Sequence, residues 1–323
     1  MDFGKYDKIL KGENLSQEEI LHISEYAETE ELLDFANRVR ETYHKNKISL
    51  CAAMNLKSGK CSEDCKYCSQ SAFYNTNIPV YPMQDIEKVL EFAAFNEEQG
   101  ITNFELSTSG GDLSRLDKVK LISIYETLSQ KTSMRLCGAH GLLKDVEEAK
   151  ALKKAGLVVY QHNLQAGRSF FHNVITTHTY EQRLDTLKYA KEAGLILCSG
   201  GVIGVGETMA DRLEMAFDLR DIGIASMPVN ILNPIPGTPF GDKGISISKE
   251  EIFRTIALLR ITLPKVVIIY GAGRLFLEEQ QFKAFLSGLN GIVVGNFLTT
   301  SGACISDDIA MIHEQGFVIN NLD

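Results

Sequence analysis

Beyond residue 47 the chain alternates short apolar runs with longer amphipathic stretches. The runs at 48–54, 101–107, 134–138, 157–162, 195–200, 226–232, 265–270 and 291–295 read as strands. Stretches near 84–99, 115–131, 144–155, 180–193, 208–222, 248–262 and 276–288 carry helical spacing. Several of these helices stop at a glycine followed at once by an apolar residue, as in Gly100-Ile101, Gly156-Leu157, Gly194-Leu195 and Gly223-Ile224. Strands separated by helices pair in parallel through crossovers, and eight such units predict an α/β fold, a closed (βα)8 barrel of the TIM type. An open doubly wound sheet is the alternative. The first 45 residues look helical and separate, with a capping-box spacing at Ser16 and Glu19 and a second helix expected over 29–43. No Gly/Pro/Ser-rich linker follows. Residues 1–45 are therefore expected to form an N-terminal helical extension that caps a barrel of residues 46–323, which includes a C-terminal segment.

Composition narrows the partners. The 323 residues, 44% apolar and 23% charged, suit a folded chain of barrel size and argue against disorder. Lys and Arg number 33 against 42 Asp and Glu, and the net charge of −9 argues against nucleic acid. No apolar run reaches the roughly 18–20 residues of a membrane span. The polar start predicts no signal peptide, and a cytoplasmic protein is expected. Seven cysteines without an export signal point to metal or redox chemistry rather than disulfides.

Three of them stand in Lys60-Cys61-Ser62-Glu63-Asp64-Cys65-Lys66-Tyr67-Cys68, a C-x3-C-x2-C loop directly after the first strand. Three thiolates this close can hold three corners of a cubane iron–sulfur cluster and leave the fourth iron open. A structural zinc site wants four ligands, and no fourth Cys or His lies nearby. In a barrel, chemistry gathers at the C-terminal ends of the strands. Cys137, Asn163, Cys198 and Asn230 all fall at or near such ends.

The loop resembles the signature of the radical S-adenosylmethionine (SAM) superfamily, and the wider chain resembles the biotin synthase family within it. Ser58–Ser71 carries that likeness. So do His162-Asn163-Leu164, Ile175–Tyr180, Arg183–Leu187, Cys198–Thr208, Asn233–Pro239 and Leu298-Thr299-Thr300. The match runs from about residue 48 to 315. It implies that Cys61, Cys65 and Cys68 hold a [4Fe-4S] cluster whose open iron binds SAM. The reduced cluster would cleave SAM to a 5′-deoxyadenosyl radical, which takes hydrogen from dethiobiotin. Sulfide from an auxiliary iron–sulfur cluster would then complete biotin. By position, Tyr67, Thr108, Asn163, Gln165, Arg183, Val202 and Asn233 match SAM contacts of the family. Asn163 and Asn230 match the groups that hold the ureido ring, and Thr299 and Thr300 match the site of the substrate carboxylate. Gln165 stands where Asp or Glu is usual; its carbonyl still accepts a hydrogen bond, without the charge. A homodimer and a reductant such as flavodoxin or ferredoxin are also implied.

The auxiliary site departs from the family. Cys137 and Cys198 are kept, but Glu105 stands where a Cys is usual and Ile269 where an Arg is usual. Cys51, on the first strand, offers a third thiol. Alternate barrel strands contribute to one interior layer, so Cys51, Cys137 and Cys198 are expected to meet and suit a cubane-type cluster. A degraded [2Fe-2S] site using Glu105, and no auxiliary cluster at all, are the other readings. Arg274 is a candidate stand-in for the missing Arg; Arg260 is set aside because it lies on a helix. Cys304 reads as a free thiol or a further ligand, and the seven His show no metal spacing. Two other functions compete: a radical SAM relative that has lost sulfur insertion and performs a rearrangement or maturation, and a non-catalytic iron–sulfur carrier.

Overall fold

The computed structural model describes residues 1–320 except Asp242. After a 3-10 turn over Phe3–Lys11, the chain forms α1 (Gln17–Tyr26) and α2 (Thr29–His44). Ser16 Oγ accepts from Glu19 N at 3.1 Å and Glu19 Oε2 accepts from Ser16 N at 2.7 Å, the reciprocal cap that the spacing predicts. There follow β1 (Lys47–Lys57), α3 (Ile86–Glu98), β2 (Asn103–Thr108), α4 (Arg115–Lys131), β3 (Arg135–Ala139) and α5 (Val146–Lys154). Next come β4 (Val159–Gln161), α6 (Tyr180–Glu192), β5 (Ile196–Cys198), β6 (Gly201–Ile203), α7 (Met209–Ile222) and β7 (Ser226–Ile231). The last elements are α8 (Lys249–Thr262), β8 (Val267–Tyr270), α9 (Lys283–Leu286), β9 (Gly291–Val294), α10 (Ile305–Glu314) and β10 (Val318–Ile319).

All strand pairings are parallel, in the order β1-β2-β3-β4-β5-β7-β8-β9. β9 returns to β1 through Ser49↔Gly291 to Ala52↔Val294 and closes the barrel. That closure excludes the open sheet. The strand expected over 195–200 is two pieces, β5 and β6, which share one place in the wall. Between them Gly200 passes so close to β7 that a Cβ there would sit 2.1 Å from the Pro228 carbonyl oxygen. The helix expected over 276–288 does not form. A 3-10 stretch, Arg274–Gln280, contains Glu278 at φ 51, and only α9 follows. A positive φ at a non-glycine residue ends helical geometry whatever the apolar spacing.

The helices α1 and α2 bury Ile20, Ile23, Leu32, Phe35 and Val39 against Leu213 and Phe217 of α7 and Ala257, Leu258 and Ile261 of α8. At the other end, β10 pairs with Lys47 and Ile48 of β1, alongside the barrel wall. No helix among the described residues is long and apolar enough to cross a membrane.

Strand alternation sorts the side chains. On β1, Leu50, Ala52 and Met54 join the core beneath the helices, while Ser49, Cys51 and Ala53 face the barrel interior. Barrels of this type usually fill their interior with bulky branched side chains. Here many inward positions are small or polar, including Asn103, Glu105, Cys137, Gln161, Cys198 and Ser226, and a cavity of about 630 Å³ remains.

Candidate iron–sulfur and ligand site

At the mouth of this cavity the Cys61–Cys68 loop is held by its own backbone. Cys61 N donates to Gln70 O at 2.9 Å, Ala72 N to Cys61 O at 2.8 Å, and Cys68 N to Cys65 O at 2.9 Å. Asp64 Oδ1 accepts from the backbone N–H groups of Thr176 and Thr177 at 2.8 and 3.2 Å, which ties the loop to the segment before α6. Glu63 reaches into a further chain of bonds. Its Oε2 lies 2.5 Å from His178 Nδ1, Arg183 Nε donates to His178 Nε2 at 2.8 Å, and Arg183 Nη1 donates to Asn163 O at 2.7 Å. Because His178 Nε2 accepts, Nδ1 carries the proton that goes to Glu63. The His178 bond holds the Glu63 carboxyl down at about 2. Gly111 is required beside it, since a Cβ there would fall 1.9 Å from Glu63 Oε1.

All three loop thiols line the cavity. Burial pushes Cys65 up to about 12 and Cys68 to about 11, and raises Cys61 as well. Buried thiols of this kind become thiolates only against a compensating positive charge such as a metal. Among the described residues no group of three His, Cys, Asp or Glu is placed to hold a single metal ion. A cubane offers a different iron to each thiolate, so its ligands need not converge on one point.

Every residue expected to contact SAM or substrate lines this same cavity: Tyr67, Thr108, Asn163, Gln165, Arg183, Val202, Asn233, Asn230, Thr299 and Thr300. Gln165 takes φ 74, an uncommon conformation for a side-chain-bearing residue, fixed by Gln165 N donating to Gly200 O and Gln165 O accepting from Val202 N. Its Oε1 is buried and has no hydrogen-bond partner among the described residues. Thr108 Oγ1 lies 3.2 Å from His140 Nδ1, and Tyr125 Oη lies 2.6 Å from His140 Nε2. Burial drives His140 down to about 3, so it is the neutral ring that braces Thr108. Asn163 Oδ1 accepts from Gly200 N at 3.0 Å. Asn230 Oδ1 accepts from Ala272 N at 3.0 Å, and its Nδ2 donates to Gly201 O at 3.2 Å. Thr299 Oγ1 lies 2.9 Å from Ser69 Oγ.

Deeper in the barrel, Cys51 of β1, Cys137 of β3 and Cys198 of β5 are all buried and all line the cavity. Burial raises all three thiols, Cys198 to about 12, and the charges of Cys137 and Cys198 act further on Cys51. Glu105 shares the layer, beside Cys137 in the β2–β3 register, and burial raises its carboxyl to about 7. Ile269 adds an apolar patch to the wall. Sequence reasoning missed Gln161, whose amide nitrogen, correctly oriented, donates to Glu105 Oε1 at 3.0 Å. It also missed Gly271, where a Cβ would lie 2.2 Å from Asn230 Oδ1. Strand alternation could have flagged Gln161, two residues beyond inward-facing Val159.

The stand-in Arg274 does not reach the site. It is fully buried outside the cavity, donating to Asp308 Oδ2 at 2.5 Å and Gln281 Oε1 at 2.6 Å. Arg260 on α8 is likewise buried elsewhere, donating to Gly288 O and Asn290 Oδ1. Cys304 is exposed and precedes α10, away from the cavity lining. His162 and His178 line the cavity.

Residues 56–219 match the Radical SAM superfamily, and residues 228–318 match the Biotin and Thiamin Synthesis associated domain. A biotin synthase from Acetivibrio thermocellus is 41% identical over 314 residues, covering 97% of this chain and 98% of its own. One from Clostridium botulinum is 45% identical over 312 residues, with 97% of each chain covered. Among solved structures, methylornithine synthase superposes with a TM-score of 0.84 at 17% identity, over 98% of this chain and 97% of its own. That likeness carries the fold alone.

Proposed function

The chain belongs to the biotin synthase family of the radical SAM superfamily, and from that premise we propose how its own residues serve the reaction. The activity is sulfur insertion that converts dethiobiotin to biotin, with SAM, a [4Fe-4S] cluster and an auxiliary iron–sulfur cluster as cofactors. When bound, these groups supply hydrogen-atom abstraction from carbon and the sulfur that is inserted. The protein's part is to bind, orient and exclude water.

Cys61, Cys65 and Cys68 hold the SAM-binding cluster. Their loop fits it, because Cys65 is buried, Cys61 and Cys68 are half-buried beside it, and no fourth ligand follows among the described residues. Tyr67, Thr108, Asn163, Gln165, Arg183, Val202 and Asn233 form the SAM pocket. The orphaned Gln165 Oε1 suits a ribose hydroxyl, the kind of donor a buried acceptor requires. Arg183, tied to His178 and through it to Glu63, keeps the pocket in register with the cluster loop. Asn163 and Asn230 hold the ureido ring, and the backbone bonds on Asn230 fix which end of its amide faces the substrate. Thr299 and Thr300 receive the carboxylate.

Cys51, Cys137 and Cys198 hold the auxiliary cluster. Three thiols with Ile269 in the wall suit a cubane, and the fourth iron is left free of protein. Glu105 is already engaged by Gln161, which argues against its use as a ligand. Residues 1–45 act as a cap and 46–323 as the catalytic barrel; the last three of these lie outside the described residues. The exposed Ser62 of the cluster loop marks the face where a small reductant such as flavodoxin or ferredoxin can approach. A cytoplasmic homodimer completes the reading, in keeping with seven free cysteines.

The observation that carries this assignment is that both sets of three thiols and all the ligand-matching residues open onto one cavity. Anaerobic reconstitution with SAM, reductant and dethiobiotin, followed by mass analysis, tests it. Biotin is the expected product. SAM cleavage without any sulfur-containing product would overturn it.

A further inference from the structure

We propose that Gln70 is a further substrate-positioning residue, whose side-chain amide Nε2 donates to the substrate carboxylate beside Thr299 and Thr300; this rests on the carboxylate placement given above. Gln70 is 8% exposed and lines the cavity, as do Thr299 and Thr300. Its carbonyl end is already engaged. Oε1 accepts from Gly59 N at 3.3 Å and from Asn55 Nδ2 at 3.3 Å. Turning the amide over would set donors against donors, so the two bonds fix its sense. Nε2 is thereby directed away from them, and no described residue accepts from it.

Two links bring this amide to the threonines. Asn55 Nδ2 donates also to the carbonyl of Leu298, the residue before Thr299, at 3.4 Å. Ser69, the chain neighbour of Gln70, places its Oγ 2.9 Å from Thr299 Oγ1. Gln70 and Thr299 are therefore held on one wall of the cavity by a short hydrogen-bonded frame. Charge makes the amide matter. Arg135 and Arg183 are the two cationic side chains that line the cavity. Arg135 begins β3, at the end of the strands opposite the mouth, and Arg183 donates to His178 and Asn163. A carboxylate beside Thr299 and Thr300 thus meets neutral donors, and a carboxylate has about four lone-pair sites to satisfy.

A purely structural Gln70, fastening the cluster loop to β1, needs only Oε1. Carboxylate recognition needs Nε2. Gln70→Glu separates the two, because it keeps an oxygen for Gly59 and Asn55 and replaces the NH2 with a second oxygen. Gln70→Met removes both amide atoms and adds no charge. Dissociation constants are measured by equilibrium dialysis for dethiobiotin and for its neutral methyl ester, on anaerobically reconstituted holoprotein with SAM. Relative to wild type, Gln70→Glu is expected to weaken dethiobiotin by about ten- to a hundredfold and Gln70→Met by about tenfold, the scale of a lost hydrogen bond to a charged group. The ester should lose less than the acid in both variants, by about two- to fivefold, since its carbonyl accepts only a neutral hydrogen bond. If both variants bind dethiobiotin as wild type does, or lose dethiobiotin and ester equally, the proposal is overturned. Wild-type protein that binds neither compound would instead overturn the substrate reading on which the proposal rests.

Discussion

The mouth and the middle of this barrel each gather three cysteines, by opposite means. At the mouth, Cys61, Cys65 and Cys68 share one short loop, and backbone hydrogen bonds hold that loop together. In the middle, Cys51, Cys137 and Cys198 come from three separate strands and line the cavity that the closed sheet encloses. The surroundings differ too. The loop is tied through Glu63 and His178 to Arg183, whereas the inner layer holds Glu105, Gln161 and Ile269. A site made by a loop is a property of local sequence. A site made by a layer is a property of the fold, and its ligands can migrate from strand to strand while the layer persists.

That contrast predicts unequal damage. Cys65→Ala should abolish SAM cleavage altogether, because two thiolates cannot hold an open-site cubane. Wild-type rates of 5′-deoxyadenosine formation in this variant would sink the assignment of the mouth. Cys51→Ser should be selective. Iron should fall from about eight to about four per chain, the content of one cubane. SAM should still be cleaved in the presence of dethiobiotin, while biotin formation drops below about a tenth of wild type, since a neutral hydroxyl is a poor substitute for thiolate. Serine nearly preserves volume, so the fold should survive. Full iron and full biotin yield would show Cys51 to be an ordinary strand residue.

The smallest effect is expected at Gln165→Glu. A carboxylate accepts from ribose hydroxyls more strongly than an amide carbonyl, but its burial costs free energy. SAM affinity should tighten by only about two- to tenfold, the gain of a charge-assisted bond after that offset, with dethiobiotin affinity unchanged. Weaker SAM binding would mean that no ribose hydroxyl donates to this position.

Much of this is legible in the sequence alone. The rhythm of apolar runs gives the barrel, because parallel strands separated by helices leave few other closures. The cluster loop is legible because its three ligands are neighbours in sequence. Cys51 and Cys198 are harder, and only the rule that alternate strands share a layer brings them together. Other features escape altogether. The apolar spacing of 276–288 is helical, yet Glu278 at φ 51 interrupts it, and sequence periodicity is blind to that. Gln161 and Gly271 carry no motif; one matters through its bond to Glu105, the other through the room it leaves for Asn230. Both are products of packing between strands distant in the chain.

The closing pair of the barrel also sets a timetable for biosynthesis. β1 is the longest strand, and one of its edges waits for β9 while its first residues wait for β10. At ordinary translation speeds, roughly ten to fifty seconds separate the emergence of β1 from that of β9. For that interval β1 is a long unpaired edge, the kind of surface that invites aggregation or chaperone capture. Cys51 sits in the middle of it, and Ser49 to Ala52 are the residues that later pair with β9. The closed wall around the inner thiols is therefore completed only after the ribosome has delivered nearly the whole polypeptide, whereas the thiols of the mouth are made close together within its first quarter.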